Sequence, residues 1–69
     1  MSESVYKIIE LVGVSKESWE DAAKIAVDRA GKTLKDLRIA EVTQMDLQID
    51  DGKVVGYRSR VKVSFKFQD

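Results

Sequence analysis

The pair Asp51-Gly52 sits between two long runs of strand-like sequence, "LRIAEVTQMDLQID" before it and "VVGYRSRVKVSFKF" after it. A two-residue hairpin turn of type I′ needs positive φ at both central residues, and Asp-Gly between alternating segments is its strong sequence signal. If Asp50 pairs with Lys53, residues whose numbers sum to 103 face one another. One side of the last strand then carries Val55, Tyr57, Ser59, Val61, Val63, Phe65 and Phe67, with Val42 and Ala40 opposite Val61 and Val63. The other side carries Arg58, Arg60, Lys62, Ser64 and Lys66 and, by the same pairing, Leu37, Ile39, Glu41, Thr43 and Met45, with Leu47 and Ile49 further along. Glu41 stands opposite Lys62, a cross-strand ion pair worth a few tenths of a kcal/mol.

The rest of the chain supplies one further strand and one helix. "SVYKIIELVGV" is rich in Val, Ile and Tyr with apolar residues of both parities, as in a strand covered on two sides, and it ends at Gly13. "SKESWEDAAKIAVDRAG" reads as a helix, with Ser15 at the N-cap, Glu17 in the first turn and Gly31 at C′. Trp19, Ala22, Ala23, Ala26 and Ala30 share one face at helical spacing, and a face made mostly of Ala can approach a sheet closely. Trp19 reads as a core residue of that stripe rather than as a stacking platform. The passage "KTLKD" links helix to strand, and no linker, repeat or low-complexity block divides residues 1–69, so they form a single domain.

The lengths do not match. A helix of roughly 15 residues spans about 22 Å, whereas a strand from Val54 to Phe67 extends to about 45 Å. One helix cannot cover such a sheet, and Leu37, Ile39, Met45, Leu47 and Ile49 are expected to be exposed together, the kind of patch that marks an interface or ligand site. A chain of 69 residues also buries little of its own surface and usually needs a staple or a partner. The absence of Cys and His excludes disulfides, thiolate or imidazole metal sites, Cys or Ser-His nucleophiles and a His general base. Self-association remains as the support. Twelve basic and twelve acidic residues balance, which leaves no electrostatic footprint for nucleic acid or an anionic membrane. The start "MSESVYKII" has no basic region followed by an apolar run, and no segment approaches the roughly 20 apolar residues of a bilayer span. The expected location is the cytoplasm. No pair of carboxylate, Lys or Tyr side chains stands out by spacing, so the chain does not read as an enzyme.

"VYKIIELVGVS" at the start, a helix ending in "RA", "TLKDL" leading into "EV", and a closing "VKVSF" occur in that order across nearly the whole chain. In this combination the sequence resembles the dodecins. The resemblance implies an α+β fold of β-α-β-β order, a three-stranded antiparallel sheet partly wrapped around one helix, with twelve copies closing into a hollow homododecamer that holds a small ligand or ion. It also implies a ligand site. Flavin-binding dodecins sandwich isoalloxazine rings (FMN, FAD or riboflavin) with a Trp just before the "xEV" of the second strand, and in this sequence that position is Ile39. The Gln that hydrogen-bonds the flavin edge falls at Arg58, which donates but cannot accept. Loss of an aromatic stack worth roughly 1–3 kcal/mol per contact weakens such a site by orders of magnitude. The double replacement is similar to a second dodecin group, of which at least one protein is described as calcium-binding, so calcium is a candidate by resemblance. The nearest oxygen-rich segment is "DLQIDDG", with Asp46 and Asp50. It is a poor EF-hand, with its glycine one position late and no closing acid. The alternatives are a flavin-storing dodecin of weakened affinity and an assembly whose pocket is vestigial and whose role is structural.

Overall fold

The Asp-Gly turn forms as its chemistry demands: Asp51 and Gly52 have φ of 52° and 75°, and they join β2 (Leu37–Asp50) to β3 (Lys53–Lys66). The computed structural model describes residues 3–66, so the expectation for Phe67 lies outside the described residues. β1 (Tyr6–Ser15) and α1 (Trp19–Gly31) precede the hairpin, which gives β-α-β-β order and a three-stranded antiparallel sheet with strand order β1-β3-β2. The fold is α+β, as expected.

The helix starts later than its sequence signals suggest. Ser18, not Ser15, is the N-cap and accepts from the Asp21 amide at 3.0 Å, while Glu20 and Asp21 provide the acidic first turn in place of Glu17. Ser15 instead ends β1 in a buried position, where its hydroxyl donates to Asp21 Oδ2 at 2.6 Å and accepts from the Glu17 amide at 2.9 Å. β1 therefore runs two residues past Gly13. Gly31 is the last helical residue rather than C′, with Lys32 as an αR C-cap.

Ala22, Ala26 and Ala30 are buried under the helix, and Ala26 clusters with Val61 and Val63 of β3, with Ile9, Leu11, Ala23, Val27 and Leu37 around them. The approach is so close that a Cβ at Gly13 would lie 2.0 Å from the Ala22 carbonyl oxygen. Val61 and Val63 are the largest fully buried hydrophobic side chains, each worth roughly 1.5–3 kcal/mol. The core is thin.

Three register shifts redistribute the side chains of β2. Arg38 and Thr43 are extra residues on β2 and Val55 is extra on β3, so the sum of 103 holds for Ile39 to Val42 and at the turn but becomes 104 from Gln44 to Gln48. Each one-residue slip reverses the faces. Met45 and Leu47 now lie opposite Ser59 and Tyr57, on the helix side, and Ile49 follows them because β2 runs without a bulge of its own from Gln44 to Asp50. Leu37, opposite Phe65, packs against the core. Of the five residues expected to share one exposed patch, Ile39 alone stays on the face away from the helix, and Arg58 faces Asp46 rather than Met45. β1 also departs from expectation: it is an edge strand with one covered side, and Tyr6, Ile8, Val12 and Val14 stand exposed on the other.

Gly13→Ala tests the helix–sheet contact. The added methyl meets backbone, so the variant should lose at least about 2 kcal/mol of stability in denaturant titration. Gly31→Ala is the control, since its nearest neighbour outside the helix is Leu37 Cδ1 at 3.7 Å, and it should hold or slightly raise the midpoint.

Candidate functional site

The face away from the helix carries the residues nominated for ligand contact. Its central row is basic, with Arg58, Arg60 and Lys62 in alternation along β3, and carboxylates flank that row on both sides. Lys62 stands between Glu10 of β1 and Glu41 of β2, and Arg60 Nη1 lies 3.9 Å from Glu10 Oε1. Glu41 faces Lys62 as expected, though the ion pairs of this face form elsewhere. The charges thus compensate locally.

Arg58 and Asp46 make the best-defined polar contact. Arg58 Nε donates to Asp46 Oδ1 at 2.7 Å and Nη2 to Oδ2 at 2.9 Å, a two-point fork that uses both carboxylate oxygens. The hydrogen bond from Arg58 holds the Asp46 carboxyl below its ordinary value of 3.8, partial burial opposes the shift, and the charges of Arg58 and Arg60 add to it. The same hydrogen bond raises Arg58. On the helix side the backbone of Asp46 is also engaged, because its carbonyl accepts from Trp19 Nε1 at 3.0 Å. Trp19 packs edge-on against Tyr57 with ring centroids 5.1 Å apart, and its carbonyl accepts from the Ser59 hydroxyl at 2.8 Å. Trp19 is a packing residue, as its place in the Ala stripe implies.

The four nominated residues do not converge within one chain. Ile39 faces Ser64 on β3, six residues from Arg58, which separates the two by roughly 20 Å along the strand. Ile39 is 68% exposed. Asp50 sits at the turn opposite Lys53, four residues from Asp46. Among the described residues, no group of three or more acidic side chains is placed to hold a metal ion. The donor set within one chain therefore does not fit calcium: Asp46 has both oxygens on a guanidinium, and Asp50 alone is too few ligands. The contact that sequence reading missed is Arg58 with Asp46, because Thr43 shifts the register ahead of it. Nothing in the sequence marks that shift, so the pairing carried no signal of its own. Also missed was an apolar groove of about 330 Å³ on the helix side, lined by Trp19, Glu20, Ala23, Val42, Met45 and Ser59.

Comparison with known proteins places this geometry. The Dodecin family model matches residues 5–68. Among curated proteins the chain is 43% identical to calcium dodecin of Mycobacterium tuberculosis over 65 residues, 94% of this chain and 92% of that protein. It is 38% identical to dodecin of Thermus thermophilus, again over 65 residues, with 94% of each chain covered. Among solved structures, dodecin of Streptomyces coelicolor superposes with a TM-score of 0.91 at 38% identity, covering 100% of this chain and 99% of that one. A structure of the Mycobacterium tuberculosis protein, described as calcium-chelating with a novel calcium-binding site, superposes at 0.83 with 45% identity, covering 94% and 93%.

The Asp46 carboxyl gives a direct test of the fork. Because its folded pKa lies below the unfolded value, its contribution to stability is present above that ordinary value and is lost as pH falls through the folded one. Carbon-detected NMR titration should find the Asp46 carboxyl titrating below 3.8 in the native protein and returning towards that value in Arg58→Ala.

Proposed function

The chain belongs to the dodecin family, and on that premise we propose that it is a non-enzymatic cytoplasmic binding protein whose copies close into a hollow homododecamer and sequester a small ligand or ion. The observation that carries this reading is a molecule 52 Å long in which a 13-residue helix, about 20 Å, covers only part of two 14-residue strands. Met45, Ile49 and Val54 are left exposed on the helix side as a result, Ile8 and Ile39 are exposed on the other face, and both sets call for neighbouring copies. No described helix is long and apolar enough to cross a membrane.

In this reading Ile39 and Arg58 line a modified pocket formed between subunits. An aliphatic side chain at the position of the flavin-stacking Trp and an arginine already bound to Asp46 both argue for weak flavin binding. Calcium is the ion to test first, given the calcium dodecin to which the chain is similar. Since one chain does not assemble its ligands, a calcium site would draw oxygens from several copies, with Asp50 available and Asp46 engaged. A second reading, in which the pocket is vestigial and Ile39 packs against its symmetry mate, is favoured by the 68% exposure of that apolar side chain.

Native mass spectrometry should give a twelve-subunit particle of about 94 kDa, twelve chains of 7.8 kDa. Additions removed by a chelator would name a metal as the ligand, a bare particle would favour the vestigial pocket, and a monomer would overturn the assembly. Ile39→Trp should strengthen flavin binding at least about fivefold, given roughly 1–3 kcal/mol per stacked ring, read by quenching of flavin fluorescence. A variant that assembles but binds flavin no better would sink the modified-pocket reading.

A further inference from the structure

The hairpin tip sets an aspartate carboxyl beside an unhindered backbone nitrogen. Asp51 and Gly52 are exposed, with φ of 52° and 75°, and a Cβ added at Gly52 would meet nothing within 4 Å. Among the described residues no hydrogen bond or ion pair holds the Asp51 carboxylate. Other aspartates are placed differently. Asp46 is forked to Arg58, Asp21 accepts from the Ser15 hydroxyl, and Asp28 lies inside α1. Asp36 shares the left-handed conformation, with a φ of 60°, but Leu37 follows it, and Asp50 is followed by Asp51. A side chain on the following residue crowds the nitrogen, whereas glycine leaves it open.

We infer that Asp51 is a site of spontaneous isoaspartate formation, a modification of the main chain in the turn that joins β2 to β3. The Gly52 nitrogen attacks Asp51 Cγ, a C–N bond forms, and the carboxyl C–O bond breaks with loss of one water to give a cyclic imide. Water then adds at one of the two ring carbonyls. Opening at Cγ restores aspartate. Opening at the main-chain carbonyl leaves the peptide running through Cβ and Cγ, with the α-carboxylate free. The water lost is regained, and no oxidant, reductant or other reactant enters.

The closed turn does not react. A type I′ turn has a ψ of about +30° at its first central residue, which sets the Asp51 Cβ on the far side of the Cα–C bond from the Gly52 nitrogen. The ring therefore closes only when the tip opens, and little holds the tip. Asp50–Lys53 and Ile49–Val54 are the pairs between the turn and the irregularity at Val55, and Ile49 and Val54 are 64% and 53% exposed. Isomerisation lengthens the main chain of a turn whose geometry admits two residues. The modified tip loses its pairing, while Val61 and Val63 keep theirs in the core cluster with Ala26.

Native protein and chain unfolded in guanidinium are incubated side by side at neutral pH and then digested with trypsin, which releases residues 39–53 with Asp46, Asp50 and Asp51 on one peptide. Electron-transfer fragmentation locates isoaspartate, and an isoaspartate-specific methyltransferase with a labelled methyl donor counts it. The expected result is isoaspartate at Asp51 in the native protein, formed more slowly than in the unfolded chain, and none at Asp46 or Asp50. Asp51→Asn keeps a strong turn signal and, with ammonia as the leaving group, should convert several-fold faster; Asp51→Gly should keep the hairpin and show no conversion. In the modified fraction, amide exchange at Ile49 and Val54 should quicken with Val61 unchanged. A native protein free of isoaspartate at Asp51 after the unfolded chain has converted, or isoaspartate spread evenly over the three aspartates, would overturn the site. A modified fraction whose tip exchanges like fresh protein would overturn the loosening.

Discussion

A helix of 13 residues cannot cover strands of 14, because a helix rises less than half as far per residue as a strand. Every other feature of this chain works around that mismatch. The helix is pressed onto the centre of the sheet, where Gly13 and three buried alanines remove every side chain that would hold it off. Close approach buries Val61 and Val63 fully, but small residues bury little area, and the hairpin arm gains nothing from it. The core of one copy stays small for a 69-residue chain, which is why self-association is the expectation from the sequence before any relative is considered.

Much of this is legible in the residues, and the reasons are local. Asp51-Gly52 specifies its own turn, the Ala stripe specifies the buried face of the helix, and the order of elements follows from their spacing. The bulges are not legible. Thr43 and Val55 sit in β-branched, strand-favouring stretches, and nothing in their chemistry marks them as unpaired; because the side-chain period is two, a single extra residue moves every later side chain to the other face. A constant register therefore puts Met45, Leu47 and Ile49 on the wrong side, while Ile39, Val42 and Ala40, between the Arg38 and Thr43 bulges, fall where it places them. Ser15 misleads for a different reason: it does bond to the first turn, through the Asp21 side chain, yet Ser18 holds the N-cap.

The bulges also have a consequence for surface chemistry. Without the shift at Thr43, Arg58 would face Met45, and the basic row of β3 would run beside an apolar row of β2. With it, Arg58 meets Asp46 and Arg60 meets Gln44, so the β2–β3 part of the open face is polar with Ile39 as its large apolar exception, while Tyr6, Ile8, Val12 and Val14 of β1 form an apolar edge beside it. Met45, Leu47 and Ile49 of β2 are gathered instead on the helix side, in line with the groove. One irregular residue thus separates two surfaces of different character on a single strand.

Asp46 is where those surfaces are joined. Its carboxylate grips Arg58 on the open face while its carbonyl receives the Trp19 indole on the other. The first turn of the helix, the hairpin arm and the basic row are therefore tied through one residue of β2. One residue thus serves both faces of the strand, its carboxylate on one side and its carbonyl on the other.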